Sequence, residues 1–317
     1  MLTRRTLITG GLGAATAVAL GAEPAQARSP RLPDEYVISG APAFQPEGIT
    51  GGPGGRFWVG SLTTGDVVVG DRRLRTMRPF AAGAAAGRDR ALGLSWHRGR
   101  LWVTRPDGLD LYDLRGRLVQ QVQVPDGTPS LNDLAFTREA VYVTDDANAV
   151  VHRAPLRAAG CGELRPWFVA TDWHPEFQTG WWFLNGIVST RDPELLLVSS
   201  QGLGSLIRLD PATGSAAFVD VEGAADGFFG PDGMRLSGRR LAAVLNYRAP
   251  AGRQGVYFVD LNRELTAGRQ LPQVLDAGLD SPTTLELDRD RILVVNSQLD
   301  HAPGTPPYTV TAFPDPR

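Results

Sequence analysis

Lysine is absent from this chain: all 32 of its basic residues are arginine. That removes the P-loop amine that neutralises nucleotide phosphates, and with it Schiff-base chemistry and pyridoxal attachment. A single cysteine, Cys161, leaves no internal disulfide to form. Four histidines give a zinc or copper centre little to draw on. The 32 cationic and 34 anionic side chains nearly cancel, to a formal net charge of -2 and a pI near 6.1. No basic field is therefore available for nucleic acid, and no nucleic-acid partner is expected. There is no Gly-x-Ser-x-Gly elbow, which argues against a serine-esterase route. No helical period of useful length and no Pro/Ser/Gly linker follow residue 28.

What the chain has in quantity is turn chemistry: 37 Gly and 24 Pro beside 42% apolar residues, suited to short strands and tight turns. The first stretch, 1–27, reads as a twin-arginine signal peptide. It has Thr3-Arg4-Arg5-Thr6-Leu7, an apolar run from Leu7 to Gly21 and an Ala25-Gln26-Ala27 cleavage site. The run is short for a membrane span of about 20 residues. The reading is export by the twin-arginine pathway, to an extracellular, periplasmic or wall-associated location, with no membrane span after cleavage. Residues 28–317 are expected to form one domain and a monomer.

A short phrase organises that domain. Pro46-Glu47-Gly48-Ile49, Ala91-Leu92-Gly93-Leu94, Leu131-Asn132-Asp133-Leu134, Leu184-Asn185-Gly186-Ile187, Pro231-Asp232-Gly233-Met234 and Pro282-Thr283-Thr284-Leu285 have second positions spaced 45, 40, 53, 47 and 51 residues apart. That is the period of a four-stranded propeller blade. Each phrase precedes a second strand rich in aromatic or β-branched residues, such as Arg56-Phe57-Trp58-Val59-Gly60 or Arg100-Leu101-Trp102-Val103-Thr104. The predicted fold is all-β, a six-bladed β-propeller. Its last blade runs out after a third strand, so the strand-like Glu35–Ser39 is predicted to complete it and close the ring.

In such a ring the second positions of the phrase face one another around a central channel. They are Glu47, Leu92, Asn132, Asn185, Asp232 and Thr283. Pro-Asp-Gly, Asn-Gly and Asn-Asp are ordinary turn dipeptides when met singly. Turn chemistry does not explain oxygen donors at four of six equivalent positions. Buried carboxylates and amides need partners, and a hard divalent cation suits two of each: Ca²⁺, or another such as Mg²⁺, Mn²⁺ or Zn²⁺.

These motifs resemble the senescence-marker-protein, gluconolactonase and luciferin-regenerating-enzyme family of six-bladed calcium propellers, over nearly the whole mature chain. The resemblance implies that Glu47, Asn185 and Asp232 hold the metal, with Asn132 a ligand or a substrate contact. It implies calcium-dependent hydrolysis of a lactone or related ester, the metal polarising the substrate oxygen. Asp232 or Asp133 would be the general base, with His152 and His301 as runners-up. Second-strand ends should surround the same mouth, which nominates Ser61, Arg105, Asp145, Gln201, Asn246 and Asn296 as pocket walls beside His301. Trp173, Trp181 and Trp182 serve either as a lid or as covers for blade edges. The alternative is an exported, non-catalytic propeller binding a small molecule, glycan or protein, with calcium purely structural.

Overall fold

Short runs of aliphatic and aromatic residues buried on both faces become the second strand of every blade, flanked by innermost and third strands buried over part of their length. In the computed structural model, which describes residues 31–39, 42–180, 183–191 and 193–316, the innermost strands are Pro46–Gly51, Leu94–His97, Leu131–Phe136, Ile187–Ser189, Met234–Ser237 and Pro282–Asp288. Second strands follow at Arg56–Ser61, Arg100–Arg105, Ala140–Asp145, Leu196–Ser200, Arg240–Leu245 and Arg291–Asn296. Third and fourth strands complete antiparallel meanders. The signal segment, Trp181 and Trp182 lie outside the described residues. Leu32–Arg317 is one compact unit.

The reason both strand faces are apolar is that each blade is packed on two neighbours. Phe57 and Val59 face the last blade, while Trp58 between them faces the second. Six apolar clusters result, one in each seam between successive blades. Trp58 is fully buried and stacks on Trp96 across its seam, ring centroids 5.1 Å apart. Truncating such a side chain costs about 3–5 kcal/mol. The innermost strands touch in order around the ring, the last against the first.

Closure is made by the N-terminal strand, as the sequence indicated. Glu35–Ile38 pairs antiparallel with Tyr308–Pro314, Tyr36 opposite Val310, and so forms the outer strand of the last blade. The aromatic segment after residue 154 is an outer edge. Arg165–Val169 is the fourth strand of the third blade, and the one-turn helix Ala170–Trp173 follows it. Trp167 packs on Tyr142 and Trp173 on Phe218 of the neighbouring outer strand, both at 4.9 Å. Trp173 is therefore an edge cover and not a lid.

Candidate metal and substrate site

The repeated phrase is a β-bulge. Pairing slips by one residue between Pro46 and Ile49, between Leu131 and Leu134, and between Pro282 and Leu285. In the other three blades one second-strand residue bonds across two: Thr104 to Leu92 and Gly93, Ser199 to Asn185 and Gly186, Val244 to Asp232 and Gly233. A bulge re-aims consecutive side chains. Here its first residue turns to the channel and its second lies against the next blade. A methyl group added at Gly48 would meet the Leu92 carbonyl oxygen, and one at Gly186 the Asp232 carbonyl.

Those close approaches tie the ring together. The Gly93 N–H donates to Asn132 O and the Gly233 N–H to Thr283 O, both at 2.8 Å. Thr283 Oγ1 donates to Glu47 O at 2.9 Å, and Thr144 Oγ1 to Asn185 O at 2.6 Å. Backbone carbonyls of four ring residues are thus bonded by neighbouring blades, which fixes the side chains relative to one another.

Five of the six ring residues, Glu47, Leu92, Asn132, Asn185 and Asp232, line one cavity of about 350 Å³ at this end of the channel. Thr283 turns its hydroxyl to the Glu47 carbonyl instead. The ring amides donate to oxygen atoms beside them: Asn185 Nδ2 to Gln201 Oε1 at 3.1 Å, with a further hydrogen bond to the Asp232 carboxylate, and Asn132 Nδ2 to Asp146 Oδ2 at 3.4 Å. Asp232 Oδ2 accepts from Asn246 Nδ2 at 2.6 Å.

Burial sets the electrostatics. It pushes the Glu47 carboxyl well above its ordinary value, and repulsion from Asp232, Asp133 and Asp146 adds to it, with Arg235 offsetting part. Burial likewise lifts Asp232 to about 7, against the hydrogen bond from Asn246 and the charge of Arg248. Asp146 is raised by burial as well, and its Oδ1 is buried without a hydrogen-bond partner. Crowded, desolvated carboxylates with raised pKa values mark sites that await a cation or a proton.

Below this cavity lies a void of about 10 Å³, room for a single water. Asp133 and Arg235 line it with the ring acids. Asp133 Oδ1 accepts the Leu134 N–H at 2.8 Å and Oδ2 the Ile187 N–H at 3.4 Å, so this carboxylate braces two inner strands. Arg235 donates to Ile49 O at 2.6 Å, to Met234 O at 2.8 Å and to Glu286 at 3.2 Å.

Of the nominated pocket walls, Gln201 and Asn246 line the cavity. Arg105 does not: it is bidentate to Asp107 at 2.5 and 2.9 Å and lines a separate surface hollow. Asp145 is enclosed by His152 Nε2 at 3.2 Å, Asn148 and the Ser130 N–H; these bonds outweigh burial and hold its carboxyl low. Asn296 is spent on Thr309, Thr311 and the Asp280 N–H. His301 is half exposed and pairs with Asp280 at 2.8 Å. Trp182 lies outside the described residues. The difference is register. Asp145 and Asn296 end their strands, each paired with the residue before the ring position, whereas Gln201 and Asn246 stand one residue past theirs. Asp146 and Leu62 occupy that same place and line the cavity; Arg90, Tyr247 and Arg248 join them. Aligning second-strand ends on the bulge would have found Asp146. Nothing in the sequence signals Arg235.

Fold and site together define a β-propeller with an acid-and-amide channel mouth. No family model matches the chain, and no curated protein matches it. Solved structures do. A gluconolactonase from Xanthomonas campestris is 16% identical with a TM-score of 0.61, covering 87% of each chain. A virginiamycin B lyase from Staphylococcus aureus is 12% identical with a TM-score of 0.52, over 89% of this chain and 98% of that one. A putative 6-phosphogluconolactonase from Bacteroides uniformis is 12% identical with a TM-score of 0.54, over 78% and 76%. At such identities the likeness is one of fold.

Proposed function

We propose that the protein is a divalent-cation-dependent hydrolase of lactones or related esters, of the senescence-marker and gluconolactonase kind, with calcium as the favoured ion. One observation carries the reading. The Glu47 carboxylate is 8% exposed, crowded by three other acids, and accepts no hydrogen bond from the described residues. The donor set fits a hard cation. Because Asn132 and Asn185 direct their N–H groups to Asp146 and Gln201, their carbonyl oxygens remain for a ligand, with Glu47 and Asp232 Oδ1. Those four residues would hold the ion.

A bound divalent cation supplies Lewis-acid polarisation of a substrate carbonyl and offsets charge on the developing oxyanion. The chain's own residues do the rest. Asn246 orients Asp232, and Gln201 orients Asn185. Arg90 and Arg248 flank the cavity where a polar substrate enters. For proton abstraction from water, Asp232 remains a candidate and Asp146 joins it, since its Oδ1 is unpartnered and burial raises its basicity. Asp133 is occupied with backbone N–H groups.

The test is elemental analysis of purified protein, then a panel of lactones and aryl esters with and without chelator. The reading expects about one divalent ion per chain and hydrolysis lost on chelation with circular dichroism unchanged. Hydrolysis retained by Asp232→Ala would sink it. Bound ion without hydrolysis would leave the binding propeller.

A further inference from the structure

The channel has a second mouth, and its chemistry is the reverse of the first. The turns joining innermost to second strands carry arginine in five of six blades: Arg98, Arg138, Arg191, Arg239 and Arg289. Three of them line a concave groove of about 840 Å³. Its floor is apolar, built from Leu94, Leu134, Phe136 and Ile187, and Arg235 closes its inner end.

Charge in the groove is unbalanced. Among the described residues its one acidic side chain, Glu194, is taken by Arg138, whose backbone N–H and Nε donate to the same oxygen at 2.8 and 3.1 Å. Arg98 donates to the Arg138 carbonyl, at 2.7 Å. The exposed Arg191 guanidinium has no hydrogen bond or ion pair among the described residues. Between them His97 lies flat on Phe136, ring centroids 3.9 Å apart and planes within 8°. His97 Nε2 is buried without a partner. Burial, then Arg98 and Arg191, push its pKa down to about 4, so the ring is neutral.

We infer that this groove is a binding site for a small organic anion, a carboxylate or phosphate on a ring or otherwise apolar body. Guanidinium groups offer planar forks that match these oxyanions in bidentate fashion. The apolar floor takes the body of such a ligand, as in most small-molecule sites. His97, stacked on Phe136, belongs to the same lining. Three of the five turn arginines meet at one concavity with an apolar lining, which favours a small ligand over a polyanion. The inference does not depend on the proposed hydrolase activity, which sits at the other end of the channel.

Calorimetric titration of the full-length mature protein with phenyl phosphate, with benzoate and with uncharged benzyl alcohol tests it. Saturable binding is expected for one or both anions and not for the alcohol; which anion binds more tightly identifies the headgroup. Arg191→Gln, which breaks no contact in the fold, should weaken binding about tenfold or more. Arg239→Gln, on the same face but outside the groove, should leave it unchanged, as should Asp232→Asn at the opposite mouth. The idea is overturned if neither anion saturates at millimolar concentration. It is equally overturned if Arg239→Gln weakens binding as much as Arg191→Gln, or if heparin binds while the small anions do not, since those results describe a polyanion surface.

Discussion

The two mouths of the channel are built from opposite ends of the same innermost strands, yet they differ in how tightly their side chains are held. At the acidic mouth the donors stand on β-bulges and are buried, and neighbouring blades bond the ring carbonyls. At the other mouth the arginines stand on turns, with Arg138 78% exposed at its side chain. Bulges pre-position oxygen atoms to the tolerance a metal requires; turns leave guanidinium groups free to adapt to a ligand. On the proposed reading one end holds an ion and reacts, and the other recognises. Arg235 and Asp133 lie between them.

The sharpest way to break this contrast is at Glu47. Glu47→Gln should lower metal occupancy and lactone hydrolysis by about a hundredfold or more, measured by metal analysis and initial rates, while anion binding at the far mouth persists. Without metal the variant should be no less stable than the wild type, because the amide escapes the repulsion of three acids. Loss of both sites together would show that the mouths are not independent.

Next in size is Arg235→Met. It removes the donor to the Ile49 and Met234 carbonyls and leaves Glu286 without its partner. Breaking a largely buried pair costs about 3 kcal/mol, seen as a fall of roughly 6–12 °C in thermal midpoint. An unchanged midpoint would mean that the channel centre is already solvated.

Gly48→Ala comes third. Its new methyl meets the Leu92 carbonyl, a clash of the overpacking kind worth about 1–3 kcal/mol, and it should weaken metal binding because the ring residues shift. Denaturant midpoints and metal titration report the two effects.

The smallest effect belongs to His97. With a folded pKa of about 4 against 6.5 for the free side chain, the unfolded state binds more protons between those values. The stability this residue contributes is complete above pH 6.5, declines as pH falls towards 4 and is level below. After allowance for its partial exposure the change is at most about 2 kcal/mol. His97→Gln should flatten that limb of the acid-denaturation curve, and a bound anion should raise the His97 pKa, followed by NMR.

Much of the fold was legible because blade packing buries both faces of the second strand in every repeat, leaving apolar runs such as Leu195-Leu196-Leu197-Val198. The outer strands were not: Leu118–Gln123 has one buried residue, Val122, and polar edges carry no distinctive pattern. The ring at Glu47, Asn185 and Asp232 was legible because a bulge glycine follows each and sits against the next blade, and Asn132 by its spacing, so the phrase repeats for steric reasons that have nothing to do with turns. The wall of the third blade was read one residue too early, at Asp145 where Asp146 lines the cavity, since the strand end and not the bulge was used as the marker; Arg105 and Asn296 were misplaced because the cavity walls of their blades come from other segments, at Arg90 and Leu299. Arg235 has no sequence signature at all, because its role depends on carbonyls from another blade.

The strand Glu35–Ile38 has a consequence for how the chain comes to be folded. It pairs antiparallel with Tyr308–Pro314 of the last blade and parallel with Thr76–Ala81 of the first. During translation the other blades can assemble as their four strands appear, but the last blade needs a strand made at the opposite end of the domain. The ring therefore cannot lock before Tyr308–Pro314 has emerged. A chain truncated before Tyr308 would retain the first five blades and lose the antiparallel clasp that makes them a single object.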